Sequence, residues 1–185
     1  MYMLRNYLRH KVKTALDRRL AEFEKLTTSK KIKAYQRSLR AAFLRSLGGF
    51  PEKTPLQPAV VGRLSGEGYR VEKLIYQSWP GFYVTTVIYL PKRKPPYPGV
   101  LMPCGHSENG KAAEAYQRLG IFLTRCGIAV LCYDPIGQGE RKQILKKDRR
   151  GRLLTQGRFR CTTEHMLEGA APIALGQSLA TYRIW

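Results

Sequence analysis

Acidic residues are scarce in this chain: 13 Asp and Glu stand against 33 Lys and Arg, and the net charge is +20. That imbalance raises nucleic acid or an anionic surface as partners. The chain lacks, however, a helix-turn-helix signature, an RNP-like aromatic strand and a zinc finger. The basic segments therefore read as a solvated surface, and no specific nucleic-acid site is expected. No run reaches the roughly 18 apolar residues that a membrane span needs. The basic start, MYMLRNYLRHKVK, has no continuous apolar stretch of the signal-peptide kind. The default location is cytoplasmic. Cysteines are few, at positions 104, 126, 132 and 161, with no CxxC pair and no His/Cys spacing that suits zinc. They read as free buried thiols of a reducing compartment. Cys104 falls at a strand end, but no base lies beside it in sequence to make it a nucleophile. The stretch CGHSENG does not match the glycine pattern of a dinucleotide-binding turn. No internal repeat is evident.

What is present suffices for one domain, or a domain with an appendage: 185 residues, 43% of them hydrophobic. Residues 1–47 read as helix. Leu4, Leu8, Val12, Leu16 and Leu20 recur at helical spacing, Thr27-Thr28-Ser29 breaks the run, and Ile32, Tyr35, Leu39 and Phe43 mark a second stripe. Gly48-Gly49 and Pro51 end it. The spacing predicts a helical segment over 1–49, a proline-punctuated linker over 50–69, and the main domain over 70–185. Within the latter, residues 70–78 and 82–90 are β-rich and joined by Trp79-Pro80-Gly81, as in an antiparallel hairpin.

Residues 98–141 organise the rest. Two apolar runs of strand length, 99–104 and 128–133, flank a helical pattern in which Ala112, Ala115, Tyr116, Leu119, Phe122 and Leu123 share a face while Lys111, Glu114, Gln117 and Arg118 point elsewhere. Strand, helix, strand implies a parallel pair. In open α/β sheets ligands gather beyond the carboxyl ends of the strands. The loops Cys104-Gly105-His106-Ser107 and Asp134 to Gly139 are therefore the candidate functional loops. Asp134 has a structural reading, bonding the backbone of the Gly137-Gln138-Gly139 turn.

Residues 137–160 form a long polar connection with nine basic residues and one acidic residue over 141–160; at that length it is functional or mobile. Thr162-Thr163-Glu164 can cap a last helix over 165–185, which Pro172 should kink. Gly176-Gln177-Ser178-Leu179-Ala180 imitates a nucleophile elbow, but no strand precedes it and its last position is not glycine. Ala171, Leu175, Leu179 and Tyr182 instead sit at helical spacing, which places Ser178 on a helix.

In their order and spacing, LGGFPEKTPL, GFYVTTVIYLP, PCGHSENGK, YDPIGQGER and TEHMLEGAAPIALGQSLATYRIW resemble the first half of an α/β-hydrolase of the acetyl-xylan-esterase-like branch. The resemblance implies an α/β fold: the amino-terminal half of the hydrolase sheet, an antiparallel hairpin followed by parallel βαβ, preceded by helices. It implies a serine carboxylic-ester hydrolase family whose substrate is a small ester or acetylated carbohydrate, with no metal or organic cofactor. The Gly105-His106 loop would supply an oxyanion-hole donor, most naturally the His106 N–H. The triad acid follows the nucleophile in this fold, so Asp134 is not that acid. The nucleophile strand, the acid and the histidine would follow residue 185, and His106 and His165 both precede Ser178, the reverse of the fold's order. The chain alone is then expected to be an incomplete, inactive portion, with the strand at 99–104 left as an open edge prone to self-association through Val100, Leu101 and Met102. The alternative, resting on charge alone, is a basic binding module for nucleic acid or an anionic polymer.

Overall fold

A computed structural model describes residues 2–184; Met1 and Trp185, at the outer ends of the helices read over 1–47 and 165–185, lie outside the described residues. The chain divides into two compact units, 1–46 and 47–185.

The first unit holds helices α1 (Met3–Glu24) and α2 (Ser29–Ser46). The break falls where Thr28 and Ser29 predict it: the Thr28 hydroxyl accepts the Lys31 N–H, satisfying one of the free donors of the new helix. Neither helix contains a buried residue. Phe23 and Tyr35 meet edge to face, with ring centroids 6.2 Å apart.

The second unit is built on strands β1 (Ala59–Gly66), β2 (Tyr69–Trp79), β3 (Phe82–Pro91), β4 (Gly99–Pro103) and β5 (Ala129–Tyr133), in the order β1-β2-β3-β5-β4. The β2–β3 hairpin is antiparallel and β4 runs parallel to β5, as the sequence predicts. Residues 50–69, read as a linker, contain β1. Its sequence AVVGRLSG hides the strand: Gly62 and Gly66 interrupt the alternation, the register slips between Val60 and Gly62, and the strand is an exposed edge that needs no apolar face. At the other edge, the Pro98 carbonyl accepts the Ala129 N–H. Alternation then turns the backbone of Gly99, Leu101 and Pro103 outward. Leu101 and Val100 are exposed there, whereas Met102 is buried, so only the first two of the three apolar residues expected at the edge are open.

The core is Val71, Tyr89, Met102, Cys104, Val130 and Cys132, backed by Tyr116, Ile121 and Leu123 from helix α3 (Glu114–Arg125) and its approach. Burying Val130 completely contributes about 1.5–3 kcal/mol. Gly120 lets α3 sit close: a Cβ there would lie 2.9 Å from the Tyr89 ring. A single 3-10 turn, Gly110–Ala112, precedes the helix. Lys111 thus belongs to that turn and is buried, not turned to solvent as helical spacing suggests.

The polar connection 137–160 contains a hairpin of β6 (Leu145–Lys147) and β7 (Leu153–Gly157). The last helical region is two helices, α4 (Cys161–Ala174) and α5 (Leu179–Ile184). α4 begins earlier than its apparent cap: Arg160 is the N-cap residue and makes no side-chain cap bond, and Thr162, Thr163 and Glu164 lie inside. Pro172 also lies inside, and the helix stops two residues later, with Gly176 at φ +70° beyond it. Of the four free cysteines, Cys126 is exposed and the others are buried. None of the described helices is long and apolar enough to cross a membrane.

Candidate functional site

Two loops leave the carboxyl ends of the parallel strands β4 and β5, and a dense polar network ties them together. Gln138, fully buried, accepts the Ser107 N–H on its Oε1 at 2.6 Å. The Gly139 N–H donates to the Glu108 carbonyl at 3.1 Å. Asp134, also fully buried, accepts the Lys111 N–H at 2.8 Å and the Thr85 hydroxyl at 2.7 Å, and its Oδ2 meets the Lys111 ammonium. Lys111 Nζ reaches Glu140 as well. A buried charge survives only when paired and hydrogen-bonded, and both members of this pair are.

Asp134 therefore anchors a strand end, but not through the backbone of Gly137, Gln138 and Gly139. Its backbone partners are Lys111 and Glu140, the latter at 3.2 Å. The turn itself is held by Gly137 N–H to the Arg141 carbonyl and Gln138 N–H to that of Pro135. The glycines serve the approach: a Cβ on Gly110 or Gly139, both at positive φ, would overlap the Asp134 carboxylate. Arg141 closes the turn, its Nη1 donating to the Asp134 carbonyl at 2.8 Å and its guanidinium lying over the Phe82 ring. Burial pulls its pKa below the ordinary arginine value.

Helix α4 joins the same network. Glu108 accepts the Cys161 N–H at 2.8 Å and the Lys142 ammonium at 2.7 Å. These bonds, Lys142 first, hold its pKa down to about 2. Glu164 is fully buried and accepts the Gln143 and Ile144 N–H groups on Oε1. The Lys142 ammonium stands 3.8 Å from its other oxygen, too far for a hydrogen bond but close enough to answer the charge.

Within the loop after β4, the Gly105 N–H is committed to the Tyr116 hydroxyl at 2.6 Å and the Ser107 N–H to Gln138. The His106 N–H between them has no partner among the described residues. The His106 ring lies 5.2 Å, centroid to centroid, from that of His165 on α4. His165 Nε2 donates to the Ile136 carbonyl at 2.6 Å, which fixes the proton there and leaves Nδ1 as a buried acceptor without a hydrogen bond. Burial is the main cause that lowers the His165 pKa. The loop thus presents one free backbone donor beside two imidazoles. Such a donor can stabilise a developing oxyanion.

Ser178 is not on a helix, as its spacing suggests, but in the residue before α5. Its hydroxyl accepts the Ala180 N–H at 3.1 Å, the bond of a helix cap. Cys104 is buried, 3.5 Å from Cys132 sulfur to sulfur, and burial pushes its thiol pKa up, away from nucleophilic thiolate. No group of three or more metal-ligating side chains exists among the described residues. Sequence reasoning missed Lys111, Glu108, Gln138 and Glu164. Only the unusual polarity of SENGK and GQGER, flanking apolar strands, could have flagged the first three; nothing in the sequence ties Glu164 to them.

No family model matches the chain, and no curated protein sequence matches it. Solved structures do. A protein assigned as an acetyl xylan esterase from Bacteroides fragilis aligns with a TM-score of 0.61 and 22% identity over 83% of this chain and 40% of its own. A methylesterase aligns with a TM-score of 0.56 and 26% identity over 68% of this chain and 29% of its own. The chain spans less than half the length of either. In fold, the chain is similar to part of these solved structures, with helices followed by a mixed sheet that holds an antiparallel hairpin and a parallel strand pair.

Proposed function

We propose that these residues form the oxyanion-side portion of a serine carboxylic-ester hydrolase acting on an acetyl or other carbohydrate ester. One observation carries the reading. At the carboxyl ends of two parallel strands, the neighbouring N–H groups of Gly105 and Ser107 are consumed, while that of His106 has no partner among the described residues. A free, rigidly framed N–H is what a tetrahedral intermediate requires, and one such donor contributes about 3–4 kcal/mol to the transition state. The solved structures sharing the fold are described as an acetyl xylan esterase and a methylesterase, which supports an ester substrate. In the reaction a serine would attack the ester carbonyl, a histidine would carry the proton to the leaving alcohol, and the His106 N–H would receive the oxyanion.

Ser178 is not placed to be that serine. The Ser178 hydroxyl caps α5, and the His165 Nε2 proton is held by the Ile136 carbonyl. An oxyanion donor without its nucleophile leaves little catalysis. The test has two arms. The purified chain should turn over p-nitrophenyl acetate no faster than its Ser178→Ala and His106→Ala variants or a denatured control. The whole natural reading frame that contains these residues should release acetate from acetylated xylan. Turnover by the chain abolished in Ser178→Ala would make it a complete small hydrolase; a whole protein without esterase activity would overturn the ester reading.

A further inference from the structure

We propose that α2 is a docking face for an anionic lipid surface. This stands apart from the ester reading. Ile32, Tyr35, Leu39 and Phe43 follow one another at three- and four-residue steps and share a narrow face of the helix. Ile32, Leu39 and Phe43 remain 41%, 45% and 49% exposed, and no residue of α2 is buried. At 100° per residue, Lys30, Arg37 and Arg45 fall on the opposite side, with Lys31, Lys33 and Arg40 flanking. The helix carries no acidic residue at all. An apolar stripe bordered by cations lies in a headgroup layer with its stripe down and its cations against lipid phosphates.

Charge decides among the occupants. The unit 1–46 has thirteen Lys and Arg against three Asp and Glu. Two copies meeting face to face through α2 would bring the flanking Lys31, Lys33 and Arg40 of one helix toward those of the other, with no carboxylate on either helix to answer them. Nucleic acid would satisfy the cations but leave the exposed leucine and phenylalanine in water, since phosphate contacts use none of that surface. A lipid surface satisfies both. α1 does not share the arrangement: its apolar ridge, Leu4 through Leu20 in four-residue steps, winds around the helix and mixes with Arg5, Arg9 and Arg19.

The test is co-sedimentation of the full chain with phosphatidylglycerol-containing vesicles and with pure phosphatidylcholine vesicles. Binding is expected to the former and not the latter, weakening strongly between about 50 and about 500 mM salt. Leu39→Gln with Phe43→Gln leaves the charge unchanged and should lower binding about tenfold. Unchanged helicity by circular dichroism shows that the variant is folded. A Phe43→Trp variant, quenched by brominated lipid, reads insertion without depending on that double variant. No vesicle binding at low salt, binding indifferent to Leu39→Gln/Phe43→Gln, or no quenching of Phe43→Trp would each overturn the proposal. So would a dimer in light scattering that these substitutions dissolve, or tighter binding to mixed-sequence RNA that they leave intact.

Discussion

Gln138 Oε1 takes the Ser107 amide hydrogen at 2.6 Å, across 31 residues of chain, and so fastens the loop after β5 to the loop after β4. Gln138 is completely buried. Replacing it with leucine keeps the volume and strands the Ser107 N–H, at a cost of about 1–3 kcal/mol. Thermal or urea denaturation of Gln138→Leu should show a loss in that range. A neutral outcome would mean that the loops are held by Asp134 and Glu108 alone.

Gly139→Ala and Gly151→Ala should differ sharply. Both glycines have positive φ, +54° and +78°, so alanine costs about 1–2 kcal/mol at either. At Gly151 nothing lies within 4 Å of the new Cβ. At Gly139 the Cβ overlaps the Asp134 carboxylate, which must abandon part of its hydrogen bonding, adding about 1–3 kcal/mol. Equal losses in urea melts of the two variants would refute the close approach.

How much of this was legible beforehand depends on what kind of signal each residue leaves. The β2–β3 hairpin and the parallel β4–β5 pair were readable because period-two and continuous apolar runs reflect burial directly. β1 was not, since a two-glycine edge strand leaves no such trace. Thr162, Thr163 and Glu164 match a capping pattern, yet Glu164 is drawn inside by the Gln143 and Ile144 amides, partners 21 and 20 residues away that spacing cannot reveal. Lys111 failed for the same reason: its carboxylate, Asp134, is a neighbour only once the loops fold together. The Gly105-His106 loop is a candidate by resemblance; that the His106 N–H has no partner among the described residues could be read only with Tyr116 and Gln138 in place.

Acid should remove the contribution of Glu108. Its folded pKa, about 2, lies below the ordinary glutamate value, so its contribution is fully present above about pH 4.5 and is lost as pH falls toward 2. Glu108 is half exposed, which screens the effect. Melting temperatures of the unmodified chain and Glu108→Gln, followed from neutral pH downward, should differ most above about pH 4.5 and converge below it. A constant gap would show that the Lys142 and Cys161 bonds do not depend on the charge.

The open edge of β4 should make the chain self-associate. Gly99, Leu101 and Pro103 turn unpaired backbone groups outward, and the strand carries neither charge nor bulge to deter pairing. Light scattering is expected to show mass above that of a monomer, reduced by Leu101→Lys, a change at an exposed side chain that the fold tolerates. Association insensitive to Leu101→Lys would move the contact elsewhere.

Gly120 faces the Tyr89 ring, yet it calibrates the loop after β4. Its missing side chain sets the distance between α3 and Tyr89. One turn earlier on the same helix, Tyr116 holds the Gly105 amide by its hydroxyl. Sheet, glycine, helix, tyrosine and loop thus form a single gauge, in which a methyl group added at one end is read as a displacement at the other. A rigid donor so referenced keeps its position whichever molecule arrives, and its tolerance is set by the thickness of a helix, not by the stiffness of the loop.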